Sequence, residues 1–299
     1  MPELPEVESL RLSLIRAGLL GRKIFAVEIL EPKIISGKGN RRRISKTKTE
    51  EFKNGLKNKK IIRLDRRAKN LIFRLSDGGV LLVHLKMTGQ LVYRSPTGHL
   101  AAGGHPIEKS VWVLPNSSTR LVFQLDQGTL FYNDTRKFGY LLYYPDEKSF
   151  EREEHFQALG PEPLSREFTL EYFIRALKQN RRRLKAALLD QGIVTGLGNI
   201  YCDEVAFAAD LRPNRVCSGL KKPEAEKLYA VIRKIIKRAI QLKGTSISDY
   251  LLSDGRRGNY AKELKVYGRS GKLCLKCKKP LKTIQLAGRT TVFCPICQK

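Results

Sequence analysis

Two groups of residues in this 299-residue chain have types and spacings that could do chemistry. The first is the opening run Met1-Pro2-Glu3-Leu4-Pro5-Glu6. Loss of Met1, which a small following residue permits, leaves Pro2 with a free secondary amine. An α-amino group titrates at about 7.7–8.0, so a useful fraction is neutral and nucleophilic near pH 7. Attack of that amine on a sugar C1′ gives an iminium, which holds its positive charge without a proton and acts as an electron sink. Glu3 and Glu6 could move protons beside it. The same segment also reads as a helix start. Pro5 suits a first turn, the glutamates answer the helix dipole, and Leu4, Val7, Leu10 and Leu14 recur at helical spacing.

The second group is Cys274-x2-Cys277-x16-Cys294-x2-Cys297. Two Cys-x2-Cys knuckles at this separation can set four thiolates tetrahedrally about one Zn²⁺, with a β-hairpin between them. No open coordination position remains, so the expected zinc is structural. Arg289 lies between the knuckles, where the hairpin could carry it into a nucleic-acid groove. The other two cysteines, Cys202 and Cys217, are isolated, so metal ligation outranks a disulfide framework.

A weaker signal is Thr195-Gly196-Leu197-Gly198-Asn199-Ile200-Tyr201. A Gly-x-Gly turn entering a helix suits phosphate binding, and Arg181, Arg182, Arg183 and Lys185 lie upstream. The third glycine and preceding strand of a dinucleotide-binding loop are missing.

These residues need elements to position them. Past the first helix, residues 24–145 read mainly as short strands: Ile61–Leu64, Leu71–Leu75, Val80–Leu85, Val111–Leu114, Leu121–Leu125 and Tyr140–Tyr144, with turns such as Asp77-Gly78-Gly79 and Asp126-Gln127-Gly128. That pattern predicts a sandwich or barrel. The Lys- and Arg-crowded stretch 36–60 and the Gly-rich Ser95–Gly104 read as exposed loops. Beyond Pro145 the texture becomes helical, with helices expected over 167–178, 181–190 and 223–242. The last carries an apolar stripe of Leu228, Val231, Ile232, Ile235, Ile236, Ala239 and Ile240. Gly160-Pro161-Glu162-Pro163 reads as an inter-domain linker.

Composition narrows the partners. Against 29 Asp+Glu stand 57 Lys+Arg, a formal net charge of +28. Such an excess points to a polyanion, above all nucleic acid, because each neutralised phosphate releases counterions. Hydrophobic residues make up 41% of the chain, enough for real cores. No apolar run approaches a membrane span, and the start lacks a signal-peptide pattern, so a cytoplasmic protein without membrane contact is expected.

Taken in order, these motifs resemble the bacterial formamidopyrimidine-DNA glycosylases, a family of base-excision repair enzymes. The resemblance runs nearly end to end. It takes in Pro2-Glu3-Leu4-Pro5-Glu6-Val7-Glu8, Arg66-Arg67-Ala68-Lys69, His84-Leu85-Lys86-Met87-Thr88-Gly89 and Asp134-Thr135-Arg136-Lys137-Phe138-Gly139. It continues through Leu159-Gly160-Pro161-Glu162-Pro163-Leu164, the Gly-Leu-Gly-Asn-Ile-Tyr turn, Tyr267-Gly268-Arg269 and the final cysteines.

The resemblance implies an α+β architecture: an N-terminal β-sandwich with flanking helices over 1–145, a helix–two-turns–helix domain over 146–263, and a zinc-finger β-hairpin over 264–299. Damaged double-stranded DNA would bind across the cleft of a monomer. By position, Pro2 is the Schiff-base nucleophile, Glu3 its acid partner, and Glu6 a residue that holds the site. Lys69 resembles the family lysine of lesion recognition and β-elimination, and Arg289 the finger arginine that grips phosphate and assists δ-elimination. Met87, Arg136 and Phe138 match the residues that fill the void left by a flipped base. His84, Arg181, Lys185 and Asn199 match backbone contacts, and Ser253–Tyr260 falls where the family has a loop over the extruded base.

Some positions depart from the family pattern. Asn116-Ser117-Ser118-Thr119-Arg120 replaces a histidine-containing segment of many relatives, so one DNA contact is either lost or passes to Arg120. Thr135-Arg136 replaces a more usual Pro-Arg, and the basic stretch around Gly37–Lys48 has no assigned role. The implied function is a glycosylase and abasic-site lyase for oxidised purines. Its rivals are an endonuclease VIII-like enzyme for oxidised pyrimidines and a non-catalytic DNA- or RNA-binding zinc protein. The N-terminus separates the last of these, because a binding module has no use for a proline amine beside two glutamates.

Overall fold

The computed structural model describes residues 1–39, 42–104, 113–245 and 258–299. It divides into two units, Met1–Gln157 with Lys243–Asn259, and Ala158–Leu242 with Tyr260–Lys299.

In the first unit, α1 (Leu4–Arg16) forms because Leu4, Val7, Leu10 and Leu14 fall on one face and all are buried. Full burial of such side chains is worth roughly 1.5–3 kcal/mol each. The short strand β1 (Ile24–Ile29) and the helix α2 (Lys46–Leu56) follow. Next come strands β2 (Ile61–Arg67), β3 (Asn70–Leu75), β4 (Val80–His84), β5 (Gly89–Arg94) and β6 (Leu100–Gly104). Strands β7 (Thr119–Leu125), β8 (Thr129–Asp134) and β9 (Tyr140–Tyr144) complete the unit's sheets, and α3 (Glu147–Glu151) and α4 (Glu154–Gln157) cover one flank.

The strands make two antiparallel sheets, ordered β1-β7-β8-β5-β6 and β2-β3-β4-β9. Alternation along each strand divides their faces. Leu71, Phe73 and Leu75 of β3 and Leu81 and Val83 of β4 enter one core with Leu121 and Phe123 of β7 and Leu91 and Tyr93 of β5. Ile72, Val80 and Leu82 point the other way, onto Tyr140 and Phe150. A core shared by two sheet faces, with α1 packed on it, is the expected sandwich.

Two expectations are corrected. The basic stretch 36–60 is not simply a loop: it holds α2, capped by Ser45, whose hydroxyl accepts from the Lys48 amide at 3.3 Å. Phe52 and Leu56, one helical turn apart, bury its inner face. Ser95–Gly104 ends in β6, not a loop, pairing with β5 from Gln90 to Arg94. Its small residues Ala101, Ala102, Gly103 and Gly104 allow α1 to lie against it. The expected strand Val111–Leu114 falls partly outside the described residues, as does most of the loop Ser253–Tyr260.

In the second unit, α5 (Leu170–Lys178), α6 (Leu184–Leu189), α7 (Asn199–Ala208) and α8 (Lys222–Gln241) precede a hairpin of β10 (Lys282–Leu286) and β11 (Arg289–Phe293). Of the α8 stripe, Leu228, Ile232, Ile236 and Ala239 are buried. The Gly160–Pro163 stretch is held within this unit: the Gly160 amide donates to Gln191 O, the Thr195 amide to Pro161 O, and Arg233 to Pro163 O. Among the described residues no helix is long and apolar enough to cross a membrane.

Candidate functional site

In the first unit the residues of interest collect at one end of the sandwich. Glu3 and Glu6 at the start of α1 are buried, as is Pro2. The Glu3 amide donates to Glu6 Oε2 at 3.0 Å, and Glu6 Oε1 accepts from the Thr245 amide at 2.7 Å and its hydroxyl at 3.1 Å. Gly244 makes this approach possible. Its φ is +75°, and a Cβ there would lie 2.6 Å from Glu6 Oε1. Thr245 carries no sequence signal for this role.

Lys69 sits in the two-residue turn joining β2 to β3, where Arg67 faces Asn70 and Ala68 has φ +54°. Left-handed backbone at alanine costs on the order of 1 kcal/mol and needs support from its surroundings. Here Arg66 donates to Ala68 O at 3.0 Å, and its Nε donates to Glu8 Oε2 at 2.9 Å. Burial raises the Glu8 carboxyl, but hydrogen bonding and charge from Arg11 and Arg66 outweigh it and hold the group below its ordinary value. Glu8 thus fixes the Lys69 turn to the helix that begins beside Pro2. Lys69 itself is buried.

His84 follows in register: Asn70 pairs with His84, and His84 with Tyr140. Its Nδ1 accepts from the Lys86 amide at 2.9 Å. Burial first, then the charges of Lys86 and Lys69, push the imidazole well below its ordinary value, so it is neutral.

Beyond it, three exposed side chains converge. The Arg136 guanidinium lies 4.6 Å from the Phe138 ring centroid, and its Nη1 is 3.4 Å from Met87 Sδ. Met87 is 43% and Phe138 40% exposed, large apolar surface that nothing in this unit's core claims. Beneath them the buried Asp134 ties the two loops together. It accepts from the Thr88 hydroxyl and, through Oδ2, from the Gly139 amide at 2.7 Å, while Thr88 Oγ1 accepts from the Arg136 amide at 3.1 Å. Gly139 is obligatory, since a Cβ there would fall 1.7 Å from Tyr132 Oη. Arg120 braces the same region, donating to Asp134 O at 2.8 Å and Ser117 O at 3.0 Å. Thr88 and Asp134 escape residue-type reasoning because each acts on backbone.

In the second unit Arg181 is exposed between α5 and α6. Lys185 is only 1% exposed. Its ammonium donates to Asp203 Oδ1 at 2.6 Å and to Thr290 O at 3.2 Å. Burial pushes the Asp203 carboxyl up to about 6, against the pull of Lys185. Asp203 Oδ2 accepts from the Val292 amide, and Asn199 Nδ2 donates to Thr290 O at 3.2 Å. These bonds hold β11, and Arg289 stands exposed at its start. Ala287 at φ +49° and Gly288 at φ +66° form the two-residue turn before it, the kind that follows strand twist.

The sulfur atoms of Cys274, Cys277, Cys294 and Cys297 lie within 4.8 Å of one another. Cys274 and Cys297 are 3.9 Å apart, Cys277 and Cys294 3.5 Å. Tetrahedral Zn–S bonds of about 2.3 Å place sulfurs about 3.8 Å apart, so the donor set fits one structural zinc. Among the described residues, Phe207, Val266, Leu281 and Val292 pack around the cysteines as a small apolar cluster.

Comparison with known proteins agrees along the whole chain. Residues 1–141 match the formamidopyrimidine-DNA glycosylase N-terminal domain, 159–250 its H2TH domain, and 271–299 the zinc finger found in FPG and IleRS. A formamidopyrimidine-DNA glycosylase of Carboxydothermus hydrogenoformans is 40% identical over 299 residues, covering 100% of both chains. One from Desulfitobacterium hafniense is 38% identical over 298 residues, again covering 100% of both. Among solved structures, a complex of Lactococcus lactis Fpg with DNA containing an abasic site superposes with a TM-score of 0.83 at 32% identity, covering 99% of each chain. The MutM (Fpg) protein from Thermus thermophilus gives 0.82 at 34% identity, covering 99% of this chain and 98% of that one.

Proposed function

The chain belongs to the formamidopyrimidine-DNA glycosylase family, and from that premise we propose the roles of its own residues in excising oxidised purines and cutting the strand. It is a bifunctional base-excision repair enzyme, a DNA glycosylase with abasic-site lyase activity. Its substrates are 8-oxoguanine and formamidopyrimidines in double-stranded DNA.

Extrusion of the damaged base costs a few kcal/mol in lost stacking and pairing. Met87, Arg136 and Phe138 offset it by filling the void, two apolar surfaces and a cation facing the orphaned base. Pro2, freed of Met1, attacks C1′ with its neutral amine. The C1′–base bond breaks, the base leaves with a proton, and the attached amine gives up its own. Glu3 then delivers a proton to O4′, the C1′–O4′ bond breaks, and the nitrogen lone pair closes the iminium on the opened sugar. Loss of the C2′ proton then expels the 3′ phosphate, and a second elimination expels the 5′ phosphate. Lys69 serves the first elimination and Arg289 the second. Glu6 holds the Pro2–Glu3 backbone in place. His84, Arg120, Arg181 and Asn199 act on the DNA backbone, and Lys185 acts there by holding the strand that bears Arg289. Zinc holds the finger and takes no part in the chemistry. The enzyme works as a cytoplasmic monomer, divided as 1–145, 146–263 and 264–299.

The observation that carries this reading is the buried Glu3–Glu6 pair at the start of α1, beside Pro2 and pinned by Thr245. Borohydride trapping tests it, on a duplex with one 8-oxoguanine opposite cytosine and an undamaged control. A lesion-dependent covalent adduct mapped to Pro2 is expected. Duplex binding without an adduct, from protein whose N-terminus is confirmed as Pro2, would favour a non-catalytic binding protein.

A further inference from the structure

The basic stretch around residues 37–48 has no part in the chemistry above, yet one of its side chains reaches the void-filling loop. Arg42 Nη2 donates to the carbonyl of Phe138 at 2.7 Å and Nη1 to that of Gly139 at 2.7 Å. On its own side, Arg42 Nε donates to Gly39 O at 2.8 Å. A guanidinium is a planar fork of donors, so it can grip two consecutive carbonyls and a third on another loop at once.

The gripped loop has other anchors. Lys137, at φ +57°, reaches Glu31 Oε2 at 2.5 Å; the Arg136 amide is held by Thr88, and the Gly139 amide by Asp134. Those bonds fix the residues on either side of Phe138. Arg42 takes hold of the Phe138 peptide itself, at the base of the exposed ring.

We propose that Arg42 is a positioning residue for the Phe138 wedge. By holding the Phe138 and Gly139 carbonyls it fixes how far the ring and the stacked Arg136 project, and so governs how well the void behind an extruded base is filled. The inference rests on the functional reading above. A wedge ordered beforehand loses less freedom when it enters the stack, so Arg42 acts on extrusion and not on the bonds made by Pro2.

The test is a double-mutant cycle read on two substrates. Single-turnover excision of 8-oxoguanine opposite cytosine is measured for wild type, Arg42→Ala, Arg42→Lys, Phe138→Ala and the double variants. Strand cleavage is measured in parallel at an abasic site in single-stranded DNA, where nothing need be extruded. Arg42→Ala is expected to slow duplex excision about tenfold and the single-strand reaction less than twofold. Arg42→Lys should lose nearly as much, because an ammonium lacks the planar fork. In the Phe138→Ala background either change should add less than about twofold, since residues acting through one group are not additive. Additive losses, equal losses on both substrates, or unchanged duplex excision would each overturn the role. If Arg42→Ala does not unfold cooperatively, the cycle with Arg42→Lys decides. A wild-type chain inactive on both substrates overturns the functional reading and this inference with it; an active one with additive losses overturns only the role of Arg42.

Discussion

The Thr245 amide donates to Glu6 Oε1 at 2.7 Å, across 239 residues of sequence. The other oxygen of that carboxylate accepts from the Glu3 amide at 3.0 Å. One side chain therefore joins the segment after α8 to the peptide beside Pro2. The chain's first residues are thereby tied to a residue 239 positions further on.

Gly244 is the point at which that link is most easily broken. Alanine there would be strained by φ +75° and would press its Cβ to 2.6 Å from Glu6 Oε1. We expect Gly244→Ala to cost about 1–3 kcal/mol in urea unfolding and to slow borohydride trapping more than it weakens duplex binding. A wild-type trapping rate would show that the link to Glu6 does not govern the N-terminus.

Stability should fall in mild acid, with His84 contributing. Its folded-state value lies well below 6.5, because burial and then the Lys86 and Lys69 charges oppose protonation. The unfolded chain binds this proton as the pH drops through about 6.5 and the folded chain does not. The contribution is therefore whole above that pH and declines below it, by at most about 1.4 kcal/mol per pH unit. Urea unfolding of His84→Gln between pH 7 and 5 should show a shallower decline than wild type. Equal slopes would mean the ring titrates alike in both states.

Lys185 and Asp203 should behave as a buried pair. Lys185→Met strands the Asp203 carboxylate and is expected to cost about 3–5 kcal/mol. Adding Asp203→Asn, which keeps an acceptor for the Val292 amide, should recover part of that loss. A single variant within about 1 kcal/mol of wild type would argue that water reaches the site.

Metal removal should act on the finger alone. Protein prepared with zinc is expected to carry one ion per chain, and chelation or Cys297→Ser should weaken duplex binding and expose β10–β11 to protease. The β-sandwich should keep its cooperative unfolding. Full duplex affinity in metal-free protein would remove zinc from the account.

Whatever depended on short offsets was legible in the amino-acid order. Each Cys-x2-Cys knuckle, the Pro2–Glu3–Glu6 run and the α8 stripe are local, where spacing along the chain fixes spacing in space. The sandwich was legible too, since alternation along β3 and β4 already sorts Leu71 and Phe73 from Ile72.

Only the tertiary structure decided which long side chains are buried and what they hold. Lys185 reads like its neighbours Arg181 and Arg182, yet it alone enters the interior, because Asp203 and Thr290 O are there to receive it. Arg42 sits in a run of cations and ends on the carbonyl of a residue 96 positions away. Thr245 shows no chemistry until Gly244 lets its amide reach Glu6. The reason is physical: a hydrogen bond to a distant backbone group depends on where packing brings that group, and every residue but proline offers the same N–H and C=O.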